Sequence, residues 1–219
     1  MNSQTEENYL KALFTLASEK GEASVNELSK LLDIKMPTVN SMIKRLSEKG
    51  LVAYESYKPI RLTPQGMKEA ALIIRKHRLT EMYLVEKMGF GWEEVHDIAE
   101  QIEHIKSPAF FEKMDALLGY PKVDPHGSPI PDIHGNIESE SYTKLSSCKE
   151  GDVITFMAVS HSSEELLKFL NNRDLVLGCT ITINMIEPFD ESMTVSYADR
   201  KEEVLSSKVC EKLLVKLAK

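Results

Sequence analysis

The chain has 219 residues, 27 Lys and Arg against 34 Asp and Glu, a net charge of −7, and 42% hydrophobic residues. That is the balance of a soluble globular protein long enough for two or three small domains. No apolar run approaches the ~18 residues of a membrane span. The polar, acidic start MNSQTEENYL has no secretory or transit pattern, and Cys148, Cys179 and Cys210 are too far apart for a disulfide framework or a cysteine-rich zinc module. A cytoplasmic protein is expected, with its cysteines packed as small apolar groups.

In chain order, Tyr9, Leu10, Leu13, Phe14 and Ala17 recur at helical spacing and predict a first helix with one apolar face. A second opens at the capping box Ser24-x-x-Glu27 and carries Val25, Leu28, Leu31 and Leu32. After the turn DIKM, Pro37 stands where a first helical turn tolerates its missing N–H, and a third helix runs from Thr38 to Lys49 before Gly50. Two β-prone runs, LVAYE and IRLT, joined by SYKP, predict a hairpin. Two short helices across a tight turn, followed by a hairpin, make a winged helix-turn-helix over residues 1–63. Between residues 24 and 68, eight Lys and Arg face four Asp and Glu, a basic patch on an acidic chain. Lys35, Pro37, Thr38, Asn40, Ser41, Lys44 and Arg45 on and before the third helix, with Tyr57 and Lys58 in the wing, are the candidate DNA contacts. Thr38, Asn40 and Ser41 suit base edges or phosphate; the cations suit phosphate.

From Thr63-Pro64 a long helix is expected to Met88, a second from Trp92 to Ile105, and a third from Ser107-Pro108 to Gly119. These form a helical unit over 64–120 with more apolar surface than it needs for itself, so a homodimer is expected. Residues 121–150 contain PKVDPHGSPIPDIHGN and read as a Pro-rich linker or strap, in which His126 and His134 receive no role. Beyond it, VITFMAV, CTITINMI and MTVSYA with one helix at SSEELLKFLNN predict a small β-barrel-like domain over 151–219. No internal repeat is visible. The fold class is mainly α with α+β parts.

His77 and Glu81 share a helix face at i, i+4; His96, Glu100, Glu103 and His104 form a stripe on the next helix. Imidazole nitrogen combined with several carboxylates is a first-row divalent metal environment. A solvated polar face is the alternative for either stripe alone.

A winged helix-turn-helix, then HRLTE, VHDIAEQIEHI, DPHGSPIPD and a small β-rich tail resembles the diphtheria toxin repressor (DtxR/MntR) family of dimeric, metal-activated bacterial repressors, along essentially the whole chain. The resemblance implies an N-terminal DNA-binding domain, a helical dimerisation and metal domain, and an SH3-like (FeoA-type) C-terminal domain. It further implies a regulatory metal site at Glu100, Glu103 and His104, completed from the first helix at Asn8, and a neighbouring site at His77, Glu81 and His96, to which His161 could add a ligand. Asn8 departs from both the Met of iron sensors and the Asp of manganese sensors. Lys11 stands where some short manganese sensors have Glu, so their closely bridged metal pair does not carry over. Glu100, where iron sensors tend to have Cys, points to Mn²⁺ first and Fe²⁺ second. The expected function is metal-dependent repression at double-stranded operators of metal-homeostasis genes, with no membrane or organic cofactor. A carboxylate–histidine metalloenzyme would need paired Glu-x-x-His motifs, which these stripes lack; a regulator using an organic ligand would bind DNA regardless of chelator.

Overall fold

The computed structural model describes residues 2–55, 58–138 and 140–218; Tyr57 lies outside the described residues. The chain forms two compact units whose limits cut across the sequential division at 64, 121 and 151. The first comprises Met1–Thr80, Ile98–Lys122 and Ile130–Glu138; the second comprises Glu81–Asp97, Val123–Pro129 and Ser139–Lys219.

In the first unit, α1 (Gln4–Lys20) starts at a capping box in which the Ser3 hydroxyl accepts from the Glu6 N–H and the Glu6 carboxylate accepts from the Ser3 N–H. The same device at Ser24 and Glu27 starts α2 (Val25–Leu31). Pro37 sits in the first turn of α3 (Met36–Glu48). Strands β1 (Val52–Ala53) and β2 (Arg61–Leu62) pair antiparallel, and Ala23 bridges to Ile60 beside them. Tyr9, Leu10, Leu13, Leu28, Val39, Ile43, Leu46 and Ile60 form one buried core with Ala70 and Ile73 of α4 (Pro64–Met88). Thr63 caps α4 by accepting from the Gly66 N–H, and a Cβ at Gly66 would lie 1.9 Å from the Leu51 carbonyl oxygen. That close approach requires glycine there. Helix α6 (Pro108–Leu117) begins at Pro108 as expected.

The helix expected over 92–105 is shorter. Gly91 and Glu94 close a turn on each other, and α5 spans only His96–Ile102, so Glu103 and His104 lie in the turn after it.

The strap contains a short repeat that the sequence reading misses. Asp124 Oδ1 accepts from the N–H groups of His126 and Ser128, and Asp132 Oδ1 accepts from those of His134 and Asn136. Both turns need a glycine in the left-handed region, Gly127 and Gly135, each at φ 85. The first copy belongs to the second unit, where the His126 carbonyl accepts from the Val159 N–H; the second belongs to the first unit, with Gly135 against Lys68.

The second unit is a six-stranded antiparallel sheet, consistent with the SH3-like domain. Its strands are β3 (Thr143–Lys144), β4 (Val153–Val159), β5 (Thr180–Ile186), β6 (Met193–Tyr197), β7 (Arg200–Leu205) and β8 (Leu213–Leu217), in the spatial order β3-β8-β4-β5-β6-β7. Alternate residues such as Ile154 and Phe156, or Ile181 and Ile183, point into a core closed by Leu167 and Leu170 of α7 (Glu164–Asn171). Cys210, in the short α8 (Ser207–Cys210), is buried in that core; Cys148 and Cys179 are half-buried. Burial pushes the Cys210 thiol up to about 11 and raises the other two, so none is poised as a thiolate. Among the described residues no helix is long and apolar enough to cross a membrane.

Candidate metal centre

In the first unit, the residues of interest converge on Glu103, which has no exposed surface. Its carboxylate takes Lys11 Nζ at 2.9 and 3.0 Å and His77 Nδ1 at 2.7 Å, while its carbonyl accepts from Lys76 Nζ at 3.0 Å. Burial alone would raise the Glu103 pKa; hydrogen bonds from His77 and Lys11 and the Lys11 charge outweigh it, so the carboxyl is held below its ordinary range. Glu100, one-third exposed, also contacts the Lys11 ammonium and lies 4.0 Å from His77 Nδ1. His77, Glu100 and Glu103 each offer a ligand atom within 4.8 Å of the others.

His104 is oriented by a residue the sequence reading passes over. Glu7 Oε2 lies 2.6 Å from His104 Nδ1. The Glu7 carboxylate accepts from the His104 Nδ1–H, and this turns Nε2 inward. That Nε2 is 3.6 Å from Glu103 Oε1, and it is buried with no hydrogen-bond partner. Asn8 Oδ1, on the same turn of α1 as Glu7, is also buried without a partner. A buried imidazole nitrogen and a buried amide oxygen without partners are each costly to bury alone, and both are donor types that a divalent cation takes. Of the expected set Asn8, Glu100, Glu103 and His104, the structure brings Glu100 and Glu103 together at Lys11 and sets His104 Nε2 3.6 Å from Glu103.

His77 and Glu81 stand one turn apart on α4. In the second unit the Glu81 carboxylate, 2% exposed, meets two imidazoles: His96 Nδ1 at 3.5 Å and His126 Nδ1 at 3.7 Å. Glu81, Asp124 and His126 are all buried and form a second three-ligand group within 4.8 Å. His126 Nε2 donates to the Trp92 carbonyl at 2.8 Å, its ring stacks on Trp92, and Nδ1 is thereby aimed at Glu81. Burial works to lower the His126 pKa, but Glu81, Asp124 and the Trp92 carbonyl raise it above the ordinary value. Asp124 and His126 were not anticipated; the repeated Asp-x-His-Gly turn is the signal that could have singled them out. His161 is exposed just past β4 and joins none of the three-ligand groups found among the described residues.

On α3 and at its N-cap, Lys35, Pro37, Thr38, Ser41, Lys44 and Arg45 are exposed, whereas Asn40 is half-buried and accepts from the Tyr54 hydroxyl at 3.3 Å. Lys58 is exposed and paired with Glu55. Arg45 Nε and Lys49 Nζ reach Glu6 Oε1 of α1 at 2.9 and 2.6 Å.

Comparison with known proteins matches two family models: "Iron dependent repressor, N-terminal DNA binding domain" over residues 1–60, and "Iron dependent repressor, metal binding and dimerisation domain" over 63–132. The iron-dependent repressor IdeR of Mycobacterium tuberculosis is 33% identical over 129 residues, 59% of this chain and 56% of that protein. The diphtheria toxin repressor of Corynebacterium diphtheriae is 31% identical over 129 residues, 59% of this chain and 57% of that protein. The match thus spans little more than half the length of these curated relatives. Among solved structures, a manganese-dependent transcriptional repressor in complex with manganese superposes with a TM-score of 0.89 at 30% identity, over 97% of this chain and 100% of that one. IdeR of T. acidophilum superposes at 0.78 and 28% identity over the full length of both.

Proposed function

Since the chain belongs to the iron-dependent repressor family of metal-dependent regulators, we propose that it is a homodimeric repressor activated by Mn²⁺, with Fe²⁺ second, that binds double-stranded operators of metal-homeostasis genes in the cytoplasm. The observation that carries this reading is the buried His104 Nε2, without a hydrogen-bond partner and 3.6 Å from the buried Glu103 carboxylate, together with the buried, unpartnered Asn8 Oδ1 on α1. Asn8, Glu100, Glu103 and His104 would hold the regulatory ion. Glu81, Asp124 and His126, with His96 beside them, would hold another. Bound there, the ion supplies positive charge between α1 and the turn after α5. The preference for Mn²⁺ rests on the donors: carboxylate and amide oxygens with one imidazole and no thiolate make a hard site.

The chain's own residues link that site to DNA. Glu7 orients the His104 ring, Asn8 would tie α1 to the bound ion, and Glu6, two residues earlier than Asn8, grips Arg45 and Lys49 on and after α3. Fixing α1 therefore fixes the helix that presents Thr38, Ser41 and Lys44. Two such helices in a dimer could enter successive major grooves about one helical turn apart. Exposed Phe110, Leu117 and Tyr120 supply apolar surface for the dimer.

The test is fluorescence anisotropy of labelled metal-transporter promoter DNA from the source genome, titrated anaerobically with protein in Mn²⁺, Fe²⁺ or chelator. Coupling between such sites is typically ~1–3 kcal/mol, so Mn²⁺ should tighten binding by roughly 5–150-fold. The variant Glu103→Ala/His104→Ala should bind DNA as the chelated protein does in every condition. Metal-dependent tightening that survives this variant would overturn the assignment of the regulatory site.

A further inference from the structure

The cation at Glu100 and Glu103 is Lys11. Its ammonium contacts Glu100 Oε1 and lies 3.0 and 2.9 Å from the two Glu103 oxygens, and the lysine side chain is only 18% exposed. The carboxylates facing it belong, with His77, to a three-ligand group that could otherwise take a divalent ion of its own. Lys11 is one helical turn after Asn8, so α1 presents to one acidic cluster first a neutral oxygen and then a fixed positive charge.

We propose that Lys11 is a tethered cation that permanently fills the His77–Glu100–Glu103 position, so that the cluster accepts a single divalent ion, on its Asn8–His104 side, and excludes a second one. This deepens the metal-regulated reading above and rests on it. Each ionised carboxylate has about four lone-pair positions, so Glu100 and Glu103 can serve the ammonium on one side and an ion on the other. A second divalent ion would have to sit against the ammonium with no additional anion to compensate. The ammonium is covalently carried by α1, so it neutralises the buried Glu103 when no metal is bound, a role that a diffusible ion cannot fill in the chelated state.

Lys11 is thus a specificity residue for ion number, and ion counting tests it. The full-length protein, its Lys11→Arg, Lys11→Met and Lys11→Glu variants would be stripped with chelator and dialysed against Mn²⁺. Bound Mn²⁺ per chain would be measured by mass spectrometry, and spin coupling by electron paramagnetic resonance. Wild type and Lys11→Arg should bind equal numbers of ions and show uncoupled spectra. Lys11→Glu, which removes the ammonium and adds a ligand, should gain one ion per chain and show the broadened spectrum of a coupled pair. Lys11→Met should gain the same ion more weakly. Without metal, both should melt below wild type, since two carboxylates lose their counter-ion; should Lys11→Met not fold, the Arg and Glu variants decide the matter. Mn²⁺ binding by wild type with no gain in Lys11→Glu would overturn this inference alone. Absence of Mn²⁺ binding in wild type and every variant would overturn it together with the metal-regulated reading. A coupled pair already present in wild type would also overturn it.

Discussion

Glu6 is 1% exposed and yet ionised. Burial alone would raise its pKa, but Lys49, the Ser3 N–H and Arg45 outweigh that and hold the carboxyl down at about 2. A carboxylate depressed in this way stabilises the fold fully above its unfolded pKa of ~4.3, and the contribution disappears as the pH falls from there toward the folded value. Glu6→Gln keeps the shape, and part of the cap, while removing the charge. Its cost at pH 7 is expected to be about 2 kcal/mol, the scale of a charge-assisted hydrogen bond lost from a buried site. Urea unfolding of both proteins should show the gap closing steadily between pH 5 and pH 2. A gap independent of pH would mean that the ion pairs with Arg45 and Lys49 contribute nothing to stability.

At the level of elements, α1 does more than fill the core. Tyr9, Leu10 and Leu13 are buried on one side, while Glu6, Glu7 and Lys11 each reach a different partner: α3, His104 and the carboxylates of Glu100 and Glu103; of the ligands proposed for the ion, α1 supplies Asn8. The weak member is Asn8, whose oxygen is a neutral donor. Asn8→Asp replaces it with an anion of nearly the same shape. Mn²⁺ binding should tighten about tenfold, corresponding to ~1.4 kcal/mol, because the added charge lies directly on the ion. The same substitution should lower the melting temperature in chelator, because a carboxylate oxygen then stands where a buried, unpartnered amide oxygen was. Calorimetric titration with Mn²⁺ and thermal unfolding in chelator read the two effects separately, and a tighter site without the loss of stability in chelator would contradict the buried geometry at Asn8.

For the molecule as a whole, a net charge of −7 is compatible with DNA binding only because the positive charge is local. Within α3, Lys44 is exposed, whereas Arg45 is partly committed to Glu6. Replacing Lys44 by Ala should weaken operator binding about equally for all sequences and reduce the slope of log affinity against log salt by about one, in the presence of Mn²⁺. An unchanged slope would remove Lys44 from the phosphate contacts. Asn40 accepts from the Tyr54 hydroxyl, so its side-chain oxygen has a partner within the fold.

Much of this protein is determined by rules that act over a few residues. The box Ser24-x-x-Glu27 and Pro37 place α2 and α3, Thr63-Pro64 starts α4, and the alternation in VITFMAV makes β4, because capping, missing donors and side-chain periodicity depend only on near neighbours in the chain. The same periodicity puts His77 with Glu81 and His96 with Glu100 on single helix faces, which points to a divalent metal, while the repressor family is a resemblance carried by motifs along the whole chain. What lies opposite those faces is not local information. Lys11 meets Glu100 across 89 positions of sequence and Glu7 meets His104 across 97. Asp124 and His126 come to Glu81 from a strap that, read as sequence, is a Pro-rich linker. Helix period sets the direction of a side chain around its own axis, but the packing of the core decides which distant group occupies that direction. Only the tertiary structure could therefore show an ammonium between the two carboxylates, or the buried histidine of the strap at the second cluster.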